Sequence, residues 1–252
     1  MRRALISDIH GNLEALETVM ADIENRGIEE IYFLGDVVGY GPDPEKCIDI
    51  ISPKCEIFLL GNHDDALLGK PIGFNPIAKK AIECIRERMA PKETSNTEEK
   101  ARWEFLKTLQ KMQLEENLMF VHASPRDYIF EYILPSHAQH ERETLTDIFS
   151  RFDHLCFVGH SHLPGIMTEE PKFYTPAELF YEYQFQKDKK VVVNIGSVGQ
   201  PRDKDPRSCY LEIDDNGCKW HRLEYNIQKT VDKVKSMSCL DERIGLRLLE
   251  GR

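Results

Sequence analysis

Apolar, β-branched runs recur along the chain, and helix-spaced segments lie between them. The runs predict strands over residues 4–9, 31–38, 56–60, 118–122, 155–158, 190–195, 209–213 and 219–225. Between the first two, Leu13, Leu16, Met20 and Ile23 recur at helical spacing, with Asn12 as the N-cap and Gly27 just past the end. Asp43-Pro44 opens a second helix with a cap and a first-turn proline. Longer helices fit 75–89, 97–112 and 138–152. The β-α-β-α order of the first half predicts a parallel α/β sheet. The second half turns to strands joined by short connections, which predicts mixed or antiparallel pairing. Asp214-Asp215-Asn216-Gly217 reads as the hairpin turn between the last two strands. From about residue 226, Ile227, Val231, Val234 and Leu240 are spaced roughly as on a helix, a segment suited to cover the sheet or a partner. No repeat, low-complexity tract or linker interrupts the pattern, so residues 1–252 read as one domain.

The polar residues at the ends of those strands are unusual. The first ends in Ser7-Asp8-Ile9-His10-Gly11-Asn12, the second in Gly35-Asp36, and the third in Gly61-Asn62-His63-Asp64. The next two end in His122-Ala123-Ser124 and Gly159-His160-Ser161-His162. Ligands of open α/β sheets bind at the carboxyl ends of strands, so these groups are expected to converge on one crevice. Five of the nine histidines fall in these segments. Asp8 and His10 are two apart, as are His160 and His162, so each pair faces one side of an extended backbone. Singly, each is ordinary: a strand-end Asp or His usually caps or turns, Gly35-Asp36 is a common turn, and His122 alone suits a hydrogen-bonded core histidine. Jointly, five such blocks in order after apolar strands point to metal chemistry. Asp8, His10, Asp36, Asn62, His122, His160 and His162 form an all-O/N set that suits borderline divalent ions such as Mn, Fe, Zn, Co or Ni. Seven donors exceed one tetrahedral ion and suit two ions sharing a carboxylate, the arrangement that clamps an in-line displacement at phosphorus.

Composition narrows the picture. Apolar residues make up 41% of 252, enough for a substantial core. No run approaches the roughly 20 apolar residues of a membrane span. The start, MRRALISDIHG, lacks the apolar stretch of a signal peptide, which predicts a cytoplasmic chain. Seven scattered cysteines (47, 55, 84, 156, 209, 218 and 239) include no CxxC pair and predict reduced, mostly packed thiols. A net charge of −10 disfavours duplex nucleic acid. It does not disfavour a small phosphate ester, because two divalent cations among Asp8 and Asp36 leave the site itself positive.

The blocks Asp8-Ile9-His10, Gly35-Asp36, Gly61-Asn62-His63-Asp64, His122 and Gly159-His160-Ser161-His162 resemble the calcineurin-like metallophosphoesterase superfamily. The stretches GYGPDP, HASPRD and GSVGQPRD resemble a compact bacterial or archaeal branch of it. The resemblance implies an α/β fold, a four-layer α/β/β/α sandwich of two mixed sheets flanked by helices. It implies that Asp8, His10 and His162 hold one metal, Asn62, His122 and His160 the other, and that Asp36 bridges them, with manganese favoured. It further implies attack by hydroxide held between the metals, with His63 as the acid for the leaving group and Asp64 orienting its imidazole. The family block is often GDxxD followed in protein phosphatases by Arg-Gly. Here Asp36 is followed by Val37-Val38-Gly39-Tyr40, without the second Asp or the arginine. Arg126 and Arg202 are the candidate substitutes for contacting phosphate.

The function these readings support is hydrolysis of a phosphate mono- or diester, the partner being a small phosphate ester. A phosphoprotein phosphatase and a non-catalytic protein-interaction scaffold on the same fold are the competing readings. Aromatic loops at 125–135 and 173–186 are expected to pack rather than to stack on a nucleobase. Asp65 is expected to begin the helix after the GNHD block.

Overall fold

The computed structural model describes residues 2–252. The chain begins β1 (Arg3–Ile6), α1 (Leu13–Asn25), β2 (Glu30–Phe33), α2 (Pro44–Ile51), β3 (Ile57–Phe58), α3 (Asn62–Leu68), α4 (Pro76–Met89) and α5 (Thr97–Lys107). It continues through β4 (Met112–Glu115), β5 (Leu118–Val121), α6 (His137–His140), α7 (Arg142–Phe149), β6 (Leu155–Val158), β7 (Gly165–Thr168), β8 (Lys172–Tyr174), β9 (Glu182–Gln184) and β10 (Val191–Asn194). It ends with β11 (Ser208–Ile213), β12 (Gly217–Leu223), α8 (Ile227–Ser236), α9 (Arg243–Leu246) and a 3₁₀ turn over Arg247–Glu250.

Two six-stranded sheets form, in the orders β3-β2-β1-β11-β12-β9 and β4-β5-β6-β10-β7-β8. Both are mixed. β1, β2 and β3 are parallel, as are β5, β6 and β10, while β11, β12 and β9 on one sheet and β7 and β8 on the other run antiparallel. Side-chain alternation explains how they pack. Leu5, Tyr32, Phe120, Phe157, Val191 and Val193 point between the sheets and meet Leu211 and Trp220. Their neighbours Ala4, Ile6 and Phe33 point outward under α1 and α2, and Met119, Val121, Cys156, Val158 and Val192 point outward under α7. A strand buried on both faces reads as an unbroken apolar run, and this is why the strands were visible.

Several elements differ from expectation. The helix expected at 97–112 stops at Lys107, because Gln110 pairs with the β3 edge through Gln110 N–H to Phe58 C=O and Leu60 N–H to Gln110 C=O. Residues 112–115 then form β4, a hairpin partner of β5. The helix expected at 138–152 is broken at Glu141, whose φ of −130° leaves the helical region. Strands β7, β8 and β9 were not foreseen. The C-terminal segment covers helices rather than a sheet: Val234, Leu240 and Ile244 pack with Ala78, Ala81 and Cys84 of α4 and with Tyr40. Lys233 Nζ bonds Glu14 Oε1 and Asp43 Oδ2, both at 2.6 Å. Reduced thiols hold for five cysteines, all buried. Cys84 and Cys239 form a disulfide instead, the fold bringing their Cα atoms to 5.7 Å. No helix among the described residues is long and apolar enough to cross a membrane.

Candidate metal centre

The carboxyl ends of β1, β2, β3, β5 and β6 open into one crevice, and the five blocks meet there. The backbone is bent to make them meet. Asp8, His10, Asp36, His160 and His162 all have φ between 49° and 63°, in the left-handed region that side chains avoid. Five such residues in one constellation carry strain of a kind that clusters at functional sites. Close approach requires glycine at two points. A Cβ on Gly61 would sit 2.0 Å from Asp36 Oδ1, and one on Gly159 would sit 2.5 Å from Asp8 Oδ2.

Each carboxylate uses one oxygen for the backbone and turns the other inward. His63 N–H donates to Asp36 Oδ1 at 2.8 Å, and Asp36 Oδ2 lies 3.7 Å from His10 Nε2 and 3.5 Å from His122 Nε2. His160 N–H donates to Asp8 Oδ2 at 3.0 Å. Asp8 Oδ1 is buried with no hydrogen-bond partner among the described residues, 3.2 Å from His162 Nε2 and 3.9 Å from His10 Nε2. The imidazoles are oriented in the same way. Nδ1 of His10 faces Val38 C=O at 3.0 Å, Nδ1 of His122 faces Leu34 C=O at 2.8 Å, and Nδ1 of His162 faces Gln200 C=O. A carbonyl partner requires N–H at Nδ1, which leaves the Nε2 lone pairs aimed into the crevice. His10 Nε2 and His162 Nε2 are 3.2 Å apart, so two lone pairs face one another beside an orphaned carboxylate oxygen. That arrangement is repulsive by itself and attractive around a cation, and the donor set fits a divalent metal.

Among the described residues, three His/Asp groups have ligand atoms within 4.8 Å of one another: Asp8, His10 and His162; His10, Asp36 and His63; Asp8, Asp36 and His122. Asn62 Oδ1 is 3.3 Å from His122 Nε2 and joins the last of these. His160 enters none of them. Its Nε2 bonds Phe130 C=O at 3.1 Å and Tyr132 stacks on its ring at 3.9 Å, which leaves Nδ1 as its free donor, on a ring 5.0 Å from that of His122.

Charge follows burial. Burial pushes His10, His63 and His160 down to about 3, against the pull of Asp36, and pushes His162 down as well. His122 is the exception. Burial opposes its charge, but Asp36 at hydrogen-bond range raises it to about 9. For Asp36, burial alone would raise the carboxyl, and His122 and His63 outweigh it to hold it well below the carboxylate range. Neutral imidazoles are the form that ligates metal, and the proton on His122 stands where a cation would neutralise Asp36.

Asn62, His63 and Asp64 are the first three residues of α3, not a strand end. A helical step of about 100° therefore separates the Asn62 amide from the His63 ring. Asp65, expected to begin that helix, is instead its fourth residue. The role expected for Asp64 is corrected: its carboxylate accepts from the N–H groups of Asp36 (2.7 Å), Val38 (3.2 Å) and Gly61 (3.1 Å), and His63 Nδ1 has no hydrogen-bond partner among the described residues. Asp64 staples the β2 exit to the α3 N-terminus. The His63 ring is instead held by rings, with centroids 4.7 Å from His10, 4.6 Å from Tyr40 and 4.9 Å from Phe74. Arg126 is also corrected. It pairs with Glu131 at 2.9 Å and Asp147 at 3.3 Å, a surface arrangement. Arg202 stays at the crevice, its guanidinium carbon 5.9 Å from the Tyr40 ring centroid.

Supporting residues went unassigned in the sequence. Asn194 Nδ2 donates to Gly159 C=O at 2.7 Å and Ser161 Oγ at 2.9 Å, and so props the GHSH turn. Ser197 Oγ and Gly199 N–H both donate to Asp8 C=O at 2.9 Å. The GSVGQ stretch, noted in the sequence only for its resemblance, is thus a cradle for the first ligand. A cleft of about 510 Å³ lined by Arg3, Glu115, Leu118, Phe157 and Ile213 lies at the opposite, amino ends of β1, β5 and β6 and shares none of these donors.

Two face-to-face mixed sheets with this donor cluster at one edge define a metallophosphoesterase. The chain belongs to the calcineurin-like phosphoesterase superfamily, whose domain matches residues 1–216. It is 38% identical to an uncharacterized protein of Methanocaldococcus jannaschii, over 99% of this chain and 98% of that one. Among solved structures, a metallophosphoesterase from Sphaerobacter thermophilus superposes with a TM-score of 0.81 at 31% identity, over 100% of both chains. A hypothetical protein from Pyrococcus horikoshii OT3 shares the fold, with a TM-score of 0.76 at 18% identity over 100% of this chain and 98% of that one.

Proposed function

We propose that the protein is a dinuclear metal-dependent phosphoesterase acting on a small phosphate mono- or diester. The observation that carries this reading is the position of Asp36 Oδ2, 3.7 Å from an imidazole nitrogen of one donor group and 3.5 Å from that of the other. One carboxylate oxygen reaches both groups, as a shared ligand must. Asp8, His10 and His162 hold one cation in this reading, and Asn62, His122 and His160 the other. Two divalent ions there would supply Lewis-acid charge to the phosphoryl group and activate water.

The chain's own residues do the rest. Backbone bonds to Asp8, Asp36, His10, His122 and His162 fix the donors before any ligand arrives, which lowers the cost of assembling the site. His63 is free of hydrogen bonds at Nδ1 and adjoins His10 and Asp36, so it is the imidazole positioned to pass a proton to a leaving alkoxide. An arriving phosphate anion favours the protonated ring that burial disfavours. Arg202 supplies fixed positive charge at the mouth.

The wall at Tyr40, which is 5% exposed beneath the C-terminal segment, favours a small ester over a phosphoprotein loop. The complete donor set argues against a scaffold that has lost its chemistry. The test is a metal-reconstituted screen of aryl phosphomonoesters against phosphodiesters. Metal-dependent hydrolysis of either class is expected; no turnover with any divalent ion would favour the scaffold.

A further inference from the structure

Two arginines stand over one ring at the crevice mouth. The guanidinium carbon of Arg202 is 5.9 Å from the Tyr40 ring centroid, and that of Arg247, from the C-terminal 3₁₀ turn, is 5.5 Å from it. Among the described residues, neither pairs with an Asp or Glu side chain. Arg202 Nη2 donates to Gln200 Oε1 at 2.8 Å, and its Nε is buried without a partner. Arg247 Nε donates to the terminal main-chain oxygen of Arg252. The carboxylates on the loop after Arg202 are taken, Asp203 by Arg222 and Asp205 by Arg207 and Arg222. In a chain of net charge −10, two neighbouring cations left without an Asp or Glu side chain are an arrangement that folding alone does not require. A single aromatic face offers each only about 0.5–2 kcal/mol.

Both arginines are held in place. Arg202 N–H bonds His162 C=O, which ties it to a metal-ligand turn. Leu248 is buried, and Lys204 N–H bonds Gly251 C=O at 2.9 Å, which docks the 3₁₀ turn onto the loop that carries Arg202. Both stand beside the metal centre: the Tyr40 ring beneath them lies 4.9 Å from that of His10 and 4.6 Å from that of His63. They also feel each other, since burial and then the like charge of Arg202 lower Arg247.

We propose that Arg202 and Arg247 form a second anion seat beside the metal centre, which takes a second phosphate of the substrate. The natural substrate is then a small molecule bearing a pyrophosphate or two nearby phosphates, with one phosphate at the donors and the other on the arginine pair. Planar guanidinium forks match phosphate oxygens, and they reward a ligand that neutralises both charges at once. Arg202 lies within residues 1–216 matched by the family domain and Arg247 outside them, so the C-terminal segment completes this seat. The inference rests on reading the crevice as a phosphoester site.

The experiment titrates the metal-loaded full chain calorimetrically with methylenebisphosphonate, which resists hydrolysis, and with orthophosphate. The bisphosphonate is expected to bind tighter by about tenfold or more, the scale of a charge-assisted bond. Arg247→Gln should lose that preference and Arg247→Lys should keep part of it, while Arg243→Gln, which removes an exposed charge from the same segment, should keep all of it. Absence of the preference in the unsubstituted chain overturns the proposal, as does its survival in Arg247→Gln or an equal loss in Arg243→Gln. Hydrolysis of aryl esters without bisphosphonate preference would sink the second seat and leave the phosphoesterase reading. Arg247-dependent bisphosphonate binding by chelator-treated protein that hydrolyses no ester would do the reverse.

Discussion

Asp36 does two jobs with two oxygens, and its neighbours show why neither can be spared. Oδ1 is fixed by the His63 N–H and Oδ2 is turned to two histidines. Asp36→Ala should therefore lose both metals together, read as metal per chain by elemental analysis; two ions retained would rule out the shared ligand. His63→Ala should keep its metals, because three other histidines have their Nδ1 fixed by carbonyls. Its turnover on esters with poor leaving groups should fall about 10²–10⁴-fold, the usual worth of general acid–base help. Undiminished turnover on those esters would remove His63 from the proton path. The convergence of Asp8, His10, Asp36, His122 and His162 was legible because a block of polar residues after each apolar run is a local signal. The work of Asp64 was not, since its partners at Asp36 and Val38 are 28 and 26 positions away. Arg247 gave no signal at all. It is one arginine among many until the fold lays it over Tyr40.

At the scale of elements, the sequence predicts best where both faces of a strand are buried. Residues 155–158 were read with the bounds observed, and β5 and β10 came within a residue or two, for all are unbroken apolar runs. The edge strands β8 and β9 are three residues each and half-exposed, too short for a pattern to mark them. β4 was lost because its hairpin turns on Glu116, held at a φ of 49° without a glycine to announce it. α3 was misread at its start: Gly61 ends an apolar run and also begins a helix, and only the second fact explains how Asn62 and His63 diverge. Gly61→Ala tests that junction. Its methyl would meet Asp36 Oδ1 at 2.0 Å and Asp36 N at 2.3 Å, both held by hydrogen bonds. Forcing them apart should cost about 1–3 kcal/mol in urea unfolding and lower metal content with it. Wild-type stability and full metal loading in this variant would show that the junction yields where the structure has it tight.

Across the whole molecule, what escaped the sequence is long-range closure. An odd, scattered set of cysteines reads as reduced because spacing alone cannot pair residues that the fold joins 155 positions apart. The segment carrying Cys239 is then held in three ways that differ in kind. Lys233 reaches Glu14 and Asp43, apolar side chains of α8 and α9 pack on α4 and Tyr40, and the disulfide ties that packing covalently to α4. Ion pairs at half-exposed Lys233 add about 1 kcal/mol or less each, and the apolar contacts persist without the bond. Cys84→Ser should thus leave the segment docked and the native fold intact. The bond's own contribution acts on the unfolded chain, and for so long a loop the entropic view puts it near 3–5 kcal/mol. At roughly 2–4 °C per kcal/mol for a chain of this size, Cys84→Ser should melt about 6–20 °C below the oxidised protein in calorimetry without reductant. Adding reductant should lower the oxidised protein towards the variant and leave the variant where it is. Coincident melting of the two proteins before reductant would mean that Cys84 and Cys239 lie together unbonded, and that packing alone holds Arg247 over the crevice.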